Sequence, residues 1–141
     1  MIVTHHREKL INAIIYFSKH TSNLGITKLM KLLFFFDFHH FRETGKSSTG
    51  LDYYAWEMGP VPKDVWKELS SSIQKDLADA ITVNISEDFH QIKAKAKFDD
   101  LHFTPRELRL LEEVAYVFKE ATADQMVEAS HLPNEPWYRT L

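Results

Sequence analysis

The stretch Leu29-Met30-Lys31-Leu32-Leu33-Phe34-Phe35-Phe36-Asp37-Phe38-His39-His40-Phe41 leaves a helix almost no polar side. At 3.6 residues per turn its leucines, methionine and phenylalanines cover nearly the whole circumference, and a helix apolar all round is one that other elements enclose. Lys31, Asp37, His39 and His40 interrupt the run, which is too short and too polar to span a bilayer. The chain must therefore wrap this helix in elements of its own. With 141 residues, 44% hydrophobic and 26% charged, it has the length and apolar content for one continuous core, and residues 1–141 are expected to form a single domain.

The wrapping elements are visible as local patterns. Over residues 4–18, Leu10, Ile11, Ile14, Ile15 and Phe17 recur at helical spacing. Ser22, Asn23 and Gly25 break that helix, and Thr27 is expected to cap the central one, which ends at Gly45. Residues 51–56 are aromatic-rich and read as extended. Pro60 and Pro62 fix their own φ and push Gly59 and Val61 toward extended geometry, so Gly59-Pro60-Val61-Pro62 reads as a rigid elbow. Pro62 suits the first position of a third helix running through Val65, Trp66, Leu69 and Ile73. Period-2 alternation in residues 81–85 and 92–98, around a polar turn at Ser86, Glu87 and Asp88, predicts a β-hairpin. Thr104-Pro105 with Glu107, and Thr122 with Gln125, are capping boxes that open two further helices, the second reaching about Ser130. The expected fold is mainly α (α+β): five or six helices around a buried central helix, with one small β-hairpin.

Candidate catalytic chemistry is sparse. Asp37 and His40 share a helix face at i, i+3, and His39 pairs with Glu43 at i, i+4, but neither a second helical set nor His-Glu-x-x-His accompanies them, so no metal is assigned. The chain has no cysteine, no Gly-x-Ser-x-Gly elbow and no phosphate-cradling glycine loop, and Ser130-His131 adjacency does not make a triad. Neither a catalytic residue nor a cofactor is expected, and the protein is read as a non-enzyme. The absence of cysteine and of a signal peptide at Thr4-His5-His6-Arg7-Glu8 places it in the cytoplasm. A net charge of −3, and only Asp124 and Glu128 as charges between residues 122 and 130, argue against reading nucleic acid through the last two helices.

Two groups remain as partner-binding candidates. Tyr53, Tyr54, Trp56 and Trp66 flank the elbow with Pro60 and Pro62; they either pack the elbow or present aromatic anchors on a pre-stiffened support. Lys93, Lys95 and Lys97 project from one face of the expected strand, either as a charged edge or as a patch for an acidic partner.

Three segments in order then carry a resemblance: Thr27-Lys28-Leu29-Met30-Lys31-Leu32-Leu33-Phe34, Gly59-Pro60-Val61-Pro62 after an aromatic stretch, and Ser130-His131 followed by Pro136-Trp137. Together they resemble the Panacea domain, the SocA-like antitoxin domain, over residues 10–137. The resemblance implies an antitoxin of a bacterial or prophage type II toxin–antitoxin system that binds and neutralises a cognate toxin protein. It also implies two alternatives: an adaptor delivering its partner to a ClpXP-type protease, and a phage-associated interaction protein without a toxin. The family's toxins are unrelated to one another, so the partner is not named, and no catalytic residue carries over. Lys28, Leu29, Lys31, Leu32, Gly59, His131 and Trp137 occupy motif positions and are expected to be structural.

Overall fold

The computed structural model describes residues 5–85 and 90–131. Six helices and two two-stranded antiparallel sheets follow in the order α1 (His5–His20), α2 (Ile26–Thr44), β1 (Tyr54–Trp56), β2 (Gly59–Val61), α3 (Lys63–Ser71), α4 (Lys75–Ala80), β3 (Ile81–Ile85), β4 (His90–Ala94), α5 (Pro105–Phe118) and α6 (Ala123–Ser130). The fold is mainly α, as the patterning predicted.

Helix α2 is the axis. All of residues 28–38 are buried, and α1, α3, α5, α6 and β2 pack against it. The all-round apolar pattern thus has its physical counterpart in a helix enclosed on every side as far as Phe38; its last turn emerges, and Phe41, expected within the apolar circumference, is exposed. Its start differs from the expectation: the helix begins at Ile26, with Gly25 rather than Thr27 at the N-cap and no side-chain cap bond. Gly25 is held from two sides instead, pairing with Gln91 and accepting from Leu29 N through its carbonyl (3.0 Å). At the other end Gly45 adopts φ +79° and donates to Phe41 O (2.7 Å), closing the helix in the left-handed conformation that glycine takes without strain.

Helices α5 and α6 open with the capping boxes read from the sequence, both reciprocal hydrogen bonds being present in each. Glu107 does more than cap. It is buried, takes a salt bridge from Lys9 of α1 (2.8 Å) and accepts from Ser48 Oγ and from Thr104 N (2.7 Å). Burial raises its pKa, but Lys9 and these hydrogen bonds outweigh that and hold the carboxyl below its ordinary value.

Three local expectations are corrected. Pro62 is the N-cap of α3, not its first residue: it is extended (φ −80°, ψ 92°), and its carbonyl accepts from Val65 N and Trp66 N (3.1 Å each). The helix stops at Ser71, and the short helix α4 follows, with Gln74 at its N-cap. Only Leu77 and Ala80 of α4 are buried, too few to write a period. What secures this corner is long-range: Arg7 of α1 bonds both carboxylate oxygens of Glu68 (2.7 Å each) and both of Asp76 (2.7 and 2.9 Å). The hairpin of β3 and β4 pairs Val83 with Ile92, but β4 ends at Ala94 rather than continuing to Phe98. Beyond it Lys95 N and Ala96 N both turn to Ala80 O (2.8 and 3.1 Å), because α4 occupies the chain where further ladder partners would be. The expected turn at Ser86, Glu87 and Asp88 lies outside the described residues.

Candidate protein-interaction site

The stiff segment is a strand. Gly59-Pro60-Val61 pairs with Tyr54-Ala55-Trp56 in a tight hairpin whose turn is Glu57-Met58, a second sheet that the sequence showed only as an elbow. Trp56 pairs with Gly59 and Ala55 with Pro60. Proline fits a strand only where its missing N–H is directed away from the ladder. Pro60 has its carbonyl bound by Lys31 Nζ (2.8 Å) on the side of α2, so the buried oxygen left outside the ladder has a donor.

Gly59 is doubly constrained. Its φ is +94°, and a Cβ placed on it would lie 2.7 Å from Ser130 Oγ, 3.0 Å from Lys31 Nζ and 3.2 Å from His131 Cε1. Ser130 Oγ and His131 Nδ1 both donate to Val127 O (2.8 Å each) at the end of α6. Three segments far apart in sequence, containing Lys31, Gly59-Pro60 and Ser130-His131, therefore meet at one buried junction of α2, β2 and α6. Lys31 is fully buried, and desolvation lowers its pKa to about 8. Leu29 and Leu32 lie in the core beside it, and Lys28 Nζ bridges the carbonyls of Ser22 (2.9 Å) and Lys119 (3.1 Å). Trp137 lies outside the described residues.

A second buried knot secures the segment that leads into the hairpin. Asp37 accepts from Ser48 N (2.8 Å), Thr49 N (2.9 Å), Thr49 Oγ1 (2.5 Å) and Tyr53 OH (2.5 Å). Burial pushes the Asp37 carboxyl up while these donors pull it down, and the net direction is up. Burial first, and the neighbouring Asp37 second, push the Tyr53 phenol up as well. Asp37 is thus spoken for, His40 Nδ1 donates to Lys46 O (2.6 Å), and Glu43 pairs with Arg106 (3.3 Å) and Arg109 (2.6 Å). Among the described residues no group of three or more His, Asp or Glu side chains could hold a metal.

The sequence-predicted partner residues fall into different environments. Pro60 and Pro62 are buried, and Tyr53 directs its hydroxyl inward to Asp37. Tyr54 remains 47% exposed with Lys63 Nζ 5.8 Å from its ring centroid, and Trp56 and Trp66 meet edge to face at 6.0 Å, each partly exposed. Met58, 39% exposed, joins them from the turn. Sequence reasoning passed over it, although a methionine between Trp56 and Gly59 in a two-residue turn has little prospect of burial. Lys93, Lys95 and Lys97 are all exposed, but they belong to the other, separate sheet, and only Lys93 is inside its strand. The geometry therefore offers an aromatic face on a braced hairpin and, apart from it, a row of lysines.

No helix among the described residues is long and apolar enough to cross a membrane. No curated protein and no solved structure matches the chain. The family model described as antitoxin SocA-like, Panacea domain, matches residues 29–138, which include the three segments that meet around Gly59. A match over that much of the sequence, with α2, the hairpin and α6 all inside it, shows that the chain belongs to the SocA-like antitoxin, Panacea domain family.

Proposed function

We propose that the protein is the antitoxin of a type II toxin–antitoxin pair, acting as a single cytoplasmic domain that neutralises a cognate toxin by direct contact and performs no catalytic step. The observation that carries this reading is the partly exposed face of the first hairpin: Tyr54 and Trp56 on β1 and Met58 in the turn, with Trp66 against Trp56, are carried by a hairpin whose other strand, β2, is held by Lys31 and the end of α6. Large rings on a support that is already ordered lose little entropy on binding, which is how aromatic hot spots contribute disproportionately to affinity. Membership of an antitoxin-like family supports a protein as the partner.

The test is growth of bacteria expressing the open reading frame adjacent to this gene, with and without the protein. Arrest by the neighbour alone, rescue by co-expression and loss of rescue with Tyr54→Ala/Trp56→Ala, at unchanged far-UV circular dichroism, are expected. A harmless neighbour refutes the antitoxin reading, and rescue that is intact in the double variant refutes the hairpin as the contact. Rescue that vanishes in a strain lacking ClpXP would assign protease delivery in place of simple blocking.

A further inference from the structure

Beside the second hairpin, the last turn of α1 and strand β4 enclose a groove of about 270 Å³. Ser18, Lys19, Thr21, Asn23, Gln91 and Lys93 supply its polar lining, and none of the described residues that line it is a carboxylate. Lys19 and Lys93 are exposed and, among the described residues, enter no ion pair; Lys95 and Lys97 follow at alternate residues, also exposed and without an ion pair among the described residues. Glu120 accepts from Ser22 nearby (3.2 Å) but does not line the groove.

The floor is already satisfied. Ile92 N donates to Leu24 O (2.8 Å), Ala94 N donates to Ser18 Oγ (2.8 Å), and Ser18 Oγ donates to Ile92 O (3.3 Å). These bonds occupy the edge of β4, so an incoming strand finds no open ladder there. What the groove has in surplus is positive charge. The C-terminal end of α1 opposes an anion with roughly half a charge, against a full charge on each lysine.

We propose that this groove and the lysine row beyond it bind an extended acidic segment of a protein partner, through side-chain charge rather than strand addition. The inference deepens the partner-binding reading above and rests on it. Alternate residues of an extended chain are roughly 6.6–6.8 Å apart, so such a segment can set one carboxylate against Lys93 in β4 and the next toward Lys95 just past the strand's end, before the chain bends at Ala96. A polypeptide fits better than a nucleic acid because, among the described residues, no aromatic ring lines the groove to stack a base.

The test uses the full chain and a fluorescein-labelled (Glu-Ser)5 peptide, followed by fluorescence anisotropy at 50 and 200 mM salt. Saturable binding that weakens with salt is expected. The triple variant Lys19→Glu/Lys93→Glu/Lys95→Glu should weaken it about tenfold or more, since three ion pairs are replaced by three repulsions. A control with the same charge change elsewhere, Lys46→Glu/Lys67→Glu/Lys75→Glu, should weaken it less than about threefold. No binding at 50 mM salt, or equal loss in the two variants, overturns the proposal. Tighter binding of labelled oligo-dT with the same lysine dependence overturns it in favour of nucleic acid. The growth assay is independent of these readings: a harmless neighbour refutes the antitoxin role and leaves the peptide result standing, while a peptide that does not bind refutes the groove whatever growth shows.

Discussion

Replacing Gly59 by alanine should be the most damaging single-methyl change in the hairpin. Two costs combine. At φ +94° an L-residue carries left-handed strain of about 1–2 kcal/mol. The new Cβ also meets Ser130 Oγ at 2.7 Å and Lys31 Nζ at 3.0 Å, and both side chains are fully buried, so relief means displacing packed groups at about 1–3 kcal/mol. Restricting the unfolded chain returns about 0.4–1 kcal/mol. The net loss is about 2–4 kcal/mol, or a melting temperature lower by roughly 8–15 °C for a chain of this size. Gly45 isolates the two terms, because it has nearly the same φ (+79°) and nothing within 4 Å of its Cβ. Gly45→Ala should therefore show the backbone strain alone, about 1 kcal/mol. Urea unfolding followed by far-UV circular dichroism, with wild type, Gly59→Ala, Gly45→Ala, Ser130→Ala and Gly59→Ala/Ser130→Ala, measures each term. The double variant should recover about 1 kcal/mol relative to additivity. Equal losses at positions 45 and 59, or no coupling between Gly59→Ala and Ser130→Ala, would refute the crowded junction as the reason for glycine.

Lys31 has a pKa of about 8 in the folded protein against an ordinary 10.5, so the unfolded chain binds more protons between those values and stability rises with pH across that window. Relative to Lys31→Met, which has no such titration, wild type should gain about 1 kcal/mol between pH 7 and 9; parallel pH profiles in urea unfolding would contradict the buried ammonium. Asp37→Asn puts an amide among four donors and should cost about 2–4 kcal/mol, whereas Tyr53→Phe, which removes one donor, should cost about 1–2 kcal/mol by the same assay; the reverse order would contradict the carboxylate as the hub. Pro60→Ala/Pro62→Ala should lower the melting temperature by a few degrees, since the unfolded chain gains freedom and position 60 gains a buried N–H; an unchanged value in calorimetry would show that the prolines contribute nothing to stability.

The elements legible in the sequence are those whose information lies within a few residues. Thr104 with Glu107 and Thr122 with Gln125 close their hydrogen bonds at i, i+3, so the helix starts could be placed without knowing what the helices pack on. Residues 29–38 demanded burial on every side and received it, whereas Phe41, in the same apolar run, emerges on the last turns of α2 and stays 54% exposed. The short elements were less legible. In α4, six residues with two buried side chains write no period, and the corner depends on Arg7, sixty-one residues before Glu68 is reached by its guanidinium. The hairpin of β1 and β2 has three residues per strand, and its prolines read equally well as an elbow.

The sequence by itself determined a buried central helix, its capped neighbours and a stiff Gly-Pro-Val-Pro segment, because propensity, capping and proline geometry act locally. It also contained Lys31, Asp37 and Glu107, but as apparent polar interruptions and a cap. Only the tertiary structure decided that Lys31 would meet the Pro60 carbonyl beneath Gly59, that Asp37 would gather four donors from residues 48–53, and that Glu107 would face Lys9. It likewise decided which rings of one aromatic cluster turn outward, leaving Tyr54 exposed while Tyr53 directs its hydroxyl into the protein. Burial of a polar group is tolerable only when its partners arrive from other segments, and those arrivals are set by packing around the core rather than by any neighbour along the chain.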